Sequence, residues 1–231
     1  MEQTTADVAN ESELLRRAGG GDAEALGALF ARHRERLHHM VELRLDRRLR
    51  GRLDADDVLQ ETYLDVARSL PTFVGSPSMP FFLWLRFLTG RKLQALHRRH
   101  LGTKIRDAGR EVSLYQGAPE ANSASLAAQL TGRHTTPSQA LMRAELQARV
   151  QEALSLMEPI DREMLALRHF EQLTNGEAAH VLELSEAAAS NRYMRALKRL
   201  REMLNTIPGL IDSAVYERGA ASARSRSRKH D

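Results

Sequence analysis

Leu59, Tyr63, Val66 and Leu70 follow one another at spacings of four, three and four, the period of one buried helical face. Asp57, Glu61 and Asp65, four apart, fall opposite that face, so the acids are displayed outward while the apolar stripe packs. Asp54 is placed to cap this helix, with Asp57 three residues on in the position where a capping box usually has Glu or Gln. Pro71 is expected to end the helix, and Thr72 to Pro80, with Gly75, Pro77 and Pro80, reads as a loop. The helix that follows, Phe81 to about Arg99, begins apolar and becomes basic. Upstream, residues 12–48 read as helices interrupted at Gly19, Gly20 and Gly21, with Asp22 as an N-cap for a helix starting at Ala23, and Gly51 marks the next break. From about Glu111 to Ser138 the chain is rich in Ala, Ser, Gly, Gln and Thr without a sustained apolar period, and reads as a flexible linker with at most a weak turn near Leu126. Periodicity resumes at Gln139, and four helices are expected from there to Asn205. Beyond Pro208 the tail alternates Ser with Arg224, Arg226, Arg228 and Lys229 and is expected to be disordered.

The most specific local pattern lies in residues 174–204. Thr174 can cap a short helix, Asn175 to Leu182, in which Ala178, Ala179 and Leu182 permit close packing. Glu183-Leu184-Ser185 makes a tight turn, and Ser185 can cap a longer helix, Glu186 to Leu204. Two helices joined so tightly form a helix-turn-helix. On the second, Ala189, Tyr193, Ala196, Leu200 and Met203 form a core face. Asn191, Met194, Arg195 and Lys198 lie opposite, with Ser190 and Arg201 at the border. Asn and Arg pair with base edges, Met touches thymine methyls, and Lys and Arg hold phosphates, so this face suits DNA; an amphipathic helix with a solvated basic side would look the same locally.

Composition sharpens the fold class. Aromatic residues make up 5% of the 231 residues, and Leu, Ala and Arg dominate, which favours an all-α protein. The chain has no Cys, which excludes disulfides, thiolate metal sites and cysteine nucleophiles and fits a reducing, cytoplasmic setting. Its polar start leads us to expect no secretory signal, and its longest apolar run, Pro80 to Leu85, is too short to span a bilayer, so no membrane insertion is expected. A net charge of +4 says little by itself, but the distribution is uneven. Arg86 to Arg110 holds eight Lys or Arg and a single acid, whereas Asp54 to Asp65 holds five acids and no Lys or Arg. The first stretch suits phosphates and the second a basic protein surface.

The acidic helix and the helix-turn-helix, in this order and separation, resemble the extracytoplasmic-function (ECF) sigma factors of the sigma-70 family. Asp54-Ala-Asp-Asp-Val-Leu-Gln-Glu-Thr-Tyr63 resembles region 2.2, Phe82-Leu-Trp84-Leu85 with the basic helix resembles regions 2.3 and 2.4, and Leu154 to Leu204, including Arg168, Thr174, Glu177-Ala-Ala179 and Arg195-Ala196, resembles region 4. The resemblance implies two small helical domains, 11–110 (a region 2-like bundle) and 139–205 (a region 4-like helix-turn-helix domain), joined by a linker at 111–138 and followed by a basic tail at 206–231. It implies a transcription initiation factor with no catalytic activity and no cofactor, whose partners are core RNA polymerase (clamp coiled coil and flap) and promoter DNA, with an anti-sigma factor as a further candidate. Asp54, Asp57, Gln60 and Glu61 would contact the clamp. Phe73, Phe81, Arg86, Arg91, Lys92, Arg98 and Arg99 would melt and read the −10 element, with a flipped base captured at the loop after Phe73. Ser190, Asn191, Met194, Arg195, Lys198 and Arg201 would read the −35 element.

Several positions depart from the family pattern. Arg91 and Ala95 stand where Asn and Asp are frequent, Ser190 and Asn191 where Arg and Ser are frequent, and Glu183 at a turn position where Gly is common and a left-handed backbone costs any other residue energy. The main rival from another class is a conventional helix-turn-helix regulator, which leaves the outward acidic helix without a role. The histidine pairs His38–His39 and His97–His100 lack a third ligand of suitable spacing, so no metal site is expected, and no phosphate-binding loop or nucleophile motif is present.

Overall fold

The computed structural model describes residues 2–101, 118–130 and 137–206; the tail beyond Pro208 and, of the expected linker, residues 111–117 and 131–136 lie outside the described residues. All regular structure among the described residues is helical. The helices are α1 (Glu2–Gly19), α2 (Ala23–Arg44), a 3₁₀ turn (Arg47–Leu49), α3 (Ala55–Gly75), α4 (Phe81–Leu101), α5 (Ser123–Leu130), α6 (Pro137–Ser155), α7 (Pro159–Leu165, continued as a π-helical segment Ala166–Phe170), α8 (Asn175–Val181) and α9 (Glu186–Asn205). They form two compact units. Among the described residues, one combines those up to 122 with 166–189, and the other combines those of 123–165 with 190–206.

The first unit is a bundle of α1–α4. Asp22 caps α2 by accepting from the Glu24 and Ala25 amides at 3.0 Å each. The buried stripes are Leu29, Leu37, Met40 and Val41 of α2, Val58, Leu59, Val66 and Leu70 of α3, and Leu83, Leu85, Leu93 and Leu96 of α4. Burying one such side chain stabilises the fold by about 1.5–3 kcal/mol relative to leaving it in water.

Pro71 does not stop α3, which continues to Gly75 with the proline inside it. Proline removes one backbone donor and crowds the preceding turn, but Pro71 is on the exposed side. The turn it would have ended instead carries Phe73, which is buried and stacks on Trp84 at 4.4 Å between centroids. Burial of that ring outweighs the lost hydrogen bond. The loop therefore shortens to residues 76–80.

The linker expectation also needs correction. Ala118 and Ala121 are buried in the first unit, and α5, with Ala124, Leu126 and Ala127 buried, is a full helix in the second. Alanine buries little area but allows backbones to approach closely, so this packing leaves no strong apolar period in the sequence. Gly90 of α4 illustrates the closeness: a Cβ there would stand 2.8 Å from the Cβ of Ala118.

In the second unit α6 buries Val150, Ala153 and Leu154, and α9 buries Ala196 and Leu200. Arg192 of α9 donates to Asp161 Oδ1 of α7 at 2.7 Å.

Candidate nucleic-acid and protein interfaces

The first turn of α3 is fixed by its own acids. The Asp57 amide donates to Asp54 Oδ1 at 2.9 Å and the Asp54 amide donates to Asp57 Oδ2 at 3.0 Å, the reciprocal box expected from the sequence. Both carboxylates also lie at the helix end where negative charge is favoured. Gln60 is exposed and Glu61 half-exposed, farther along the same outward side. Leu64 joins them at 51% exposure, an apolar side chain on a polar face that sequence reasoning missed. Its signal was there: Leu64 falls one step off the Leu59-Tyr63-Val66-Leu70 stripe. Asp56 pairs with Arg34 at 2.6 Å. Lys92 of α4 reaches Asp65 at 2.6 Å and Glu61 at 3.5 Å, so the acidic face is braced from α4.

The residues expected to meet the −10 element separate into two groups. Arg91, Arg98 and Arg99 are exposed on α4, and Lys92 is partly exposed. Arg91, Lys92 and Arg98 line an open groove of about 310 Å³ together with Arg68 and Ser69 of α3. Phe73, Phe81 and Arg86 are buried instead. Phe73, Phe81 and Trp84 form one aromatic cluster beneath residues 76–80, with centroids 4.4–6.0 Å apart, so neither Phe ring is presented to solvent. Arg86 is 2% exposed and its Nε donates to Glu171 Oε2 at 2.8 Å.

Glu171 is a site that the sequence did not disclose. Its other oxygen accepts from Arg44 Nε at 2.9 Å and, more closely still, from Arg44 Nη2. Burial alone would raise this carboxyl's pKa, but Arg44 and Arg86 more than offset it and hold it below the ordinary carboxylate range. Arg36 completes the cluster. Its Nη2 donates to the Gln172 carbonyl at 3.2 Å and to Glu177 Oε2 at 3.0 Å, and its guanidinium lies 3.5 Å from the Phe82 ring centroid. Pairings across such sequence distances carry no periodic signal.

The helix-turn-helix is built as its sequence suggests. Thr174 and Glu177 form a capping box on α8, with the Glu177 amide donating to Thr174 Oγ1 at 3.1 Å and the Thr174 amide to Glu177 Oε2 at 2.7 Å. Leu184 and Glu183 amides close the end of α8 on the Ala179 and His180 carbonyls at 2.9 and 3.3 Å, and Glu183 occupies the left-handed position with φ 55°. Ser185 Oγ then caps α9 through the Ala188 amide at 3.2 Å. Ser190, Asn191, Met194, Arg195, Lys198 and Arg201 are all exposed along one side of α9, Met194 at 62%. No cluster of three His, Asp or Glu side chains suited to a metal occurs among the described residues, and no described helix is long and apolar enough to cross a membrane.

Residues 147–200 match the family described as Sigma-70, region 4. Over 195 residues the chain is 30% identical to the RNA polymerase sigma factor CnrH of Cupriavidus metallidurans, covering 83% of this chain and 93% of that one. This chain belongs to the RNA polymerase sigma factors of the sigma-70 family. The ECF RNA polymerase sigma factor BldN of Streptomyces coelicolor is 24% identical over 198 residues, covering 86% of this chain and 67% of that protein. A solved structure of CnrH in complex with the cytosolic domain of CnrY is similar at a TM-score of 0.51 and 25% identity, over 85% of this chain and 97% of the CnrH chain. In this sigma factor five of the six outward residues of α9 fall inside the region 4 match, and Arg201 lies one residue past it.

Proposed function

We propose that this sigma factor docks core RNA polymerase through the outward side of α3, holds −10 DNA along α4, and reads the −35 element with α9. The observation that carries the reading is the single exposed face formed by Ser190, Asn191, Met194, Arg195, Lys198 and Arg201. Asn191 and Arg195 carry the donors and acceptors for base edges, Lys198 and Arg201 the charge for phosphates. The polymerase and −10 module at 11–110 and the −35 module at 139–205 follow these roles, with residues 111–138, which include α5, connecting them. On α3, Gln60, Glu61 and Leu64 offer polar, charged and apolar contact in one strip, with Asp54 and Asp57 setting the helix start. On α4, Arg91, Arg98 and Arg99 are the exposed phosphate contacts, with Lys92 beside them, while Phe73 and Phe81 form the packed floor under residues 76–80. The protein acts in the cytoplasm without catalysis of its own. An acidic or amphipathic anti-sigma segment is a further partner, supported by the likeness to CnrH, which was solved with a domain of CnrY.

In vitro transcription with core polymerase on a genomic library, with start sites mapped, tests the reading. Discrete start sites that depend on the added chain support it. A chain that binds specific DNA but leaves core polymerase unchanged is a conventional helix-turn-helix regulator instead.

A further inference from the structure

We propose that the segment Glu171–Glu177 is an internal latch, an acidic stretch of this chain seated on the buried ion-pair cluster of Arg36, Arg44 and Arg86 of α2 and α4, whose guanidinium groups nucleic-acid phosphate takes up once the segment leaves. The proposal rests on the assignment of α4 to promoter DNA and adds to it a competitor inside the same chain. Three features of the seat support an exchangeable contact. Its polar contacts, set around the buried Leu173, are charge and main-chain acceptors: Glu171 takes Arg44 and Arg86, Glu177 takes Arg36, and Arg36 also reaches the Gln172 carbonyl. Guanidinium groups that bind carboxylate in this forked manner bind phosphate by the same geometry, so the seat would be refilled by the backbone of a nucleic acid.

The second feature is strain in the occupant. Gln172, between the two carboxylates, sits at φ 56°, a left-handed conformation that favours glycine. The closed state thus carries a local cost that leaving the cluster relieves. The third is position. Glu177 is at once the partner of Arg36 and the box residue that caps α8, the first helix of the helix-turn-helix, so closure ties that helix to the α2–α4 bundle.

A latch lowers apparent DNA affinity by the fraction of molecules that are open. The chain has no Cys, so single cysteines can be placed at the exposed residues Glu35 and His169, either side of the latch, and spin-labelled in the full-length protein. Free protein should give one narrow, short distance. The Glu171→Gln/Glu177→Gln variant should broaden and lengthen it and raise affinity for a short random single-stranded DNA about tenfold or more, with a steeper salt dependence as added phosphate contacts form. Gln172→Gly, which removes the backbone cost, should act oppositely, narrowing the distance and weakening DNA binding about threefold or more. This variant decides the matter if the charge-neutral protein fails to fold by circular dichroism. Unchanged distance and DNA affinity in Gln172→Gly and in any folded Glu171→Gln/Glu177→Gln protein would make the cluster a fixed structural core and overturn the latch. Loss of core-polymerase binding by the wild type would instead strike the functional reading, and the label distances would still report on the latch.

Discussion

The outward face of α9 and the beginning of α4 both carry residues that the sequence assigns to promoter DNA, yet they differ in where those side chains end up. All six on α9 are exposed, whereas Phe73, Phe81 and Arg86 around the start of α4 are buried. The α9 residues follow from periodicity, because Ala189, Ala196 and Leu200 are buried and residues displaced by half a turn must point away. The α4 residues follow from resemblance and from charge, and charge does not say which of several arginines is outside. A buried Arg needs a buried acid, and the acid lies at residue 171.

The largest expected effect is therefore on stability and on one side only. Glu171→Ala leaves Arg44 and Arg86 facing one another without their carboxylate, and should cost about 3–5 kcal/mol in chemical denaturation. Arg195→Ala on α9, exposed and outside the core, should stay within about 0.5 kcal/mol of wild type. Equal stability losses in the two variants would erase the contrast.

Next comes recognition. Asn191→Ala should cost about 1–3 kcal/mol of discrimination at one or two −35 positions, measured by saturating the promoter sequence, while Lys198→Ala should weaken all sequences alike and flatten the salt dependence. A −35 preference unchanged in Asn191→Ala removes the base-reading role.

pH supplies a smaller effect confined to the first unit. Burial between Phe81 and Phe82, aided by Arg36 and Arg32, lowers the His33 pKa to about 4, against the pull of Glu177; the Glu11 carboxylate lies 3.6 Å from its Nε2. The unfolded chain takes up the proton near the ordinary value of 6.5 and the folded chain does not. Stability is accordingly full above pH 6.5 and falls as pH drops towards 4, by up to about 1.4 kcal/mol per unit from this group. Denaturation midpoints between pH 7 and about 5, above the carboxylate range, should show this slope, and an apolar His33→Leu should flatten it. A His33→Leu protein with the same slope would place the titration elsewhere.

The least costly change is at the turn. Glu183→Gly relieves the left-handed position with φ 55° and should stabilise by about 1 kcal/mol without altering promoter choice, as read by denaturation and transcription.

These effects also show what the sequence made legible. Local grammar was readable: the Asp22, Asp54, Thr174 and Ser185 caps, the left-handed Glu183 and the outward face of α9 each depend on residues within a turn or two of one another. Pro71 misled because the general rule for proline is local, while the stacking of Phe73 on Trp84 that overrides it is not. The reading of the acidic face as a docking surface is likewise refined. Asp57 is half of a cap worth about 0.5–2 kcal/mol, so Glu61 and Leu64 are the cleaner positions for probing polymerase docking. Glu171 was out of reach, because nothing near it in the chain announces the arginines at 44 and 86.

One consequence of the close seat at Gly90 is a matter of clearance. The whole approach of residues 118–122 to α4 has less than a methyl group to spare, since a Cβ at position 90 would meet Ala118 at 2.8 Å. Pro119, one residue on, supplies the carbonyl that accepts from Arg44 at 2.6 Å, and Asn122 donates to the Leu43 carbonyl at 3.1 Å. A wedge of one carbon therefore lifts a strap whose next link touches the buried arginine. Gly27 of α2 has nothing within 4 Å of the same imaginary atom. A saturation library sorted for folded protein should thus keep little but glycine at position 90, while welcoming alanine at position 27, where it adds about 0.5–1 kcal/mol of helix stability.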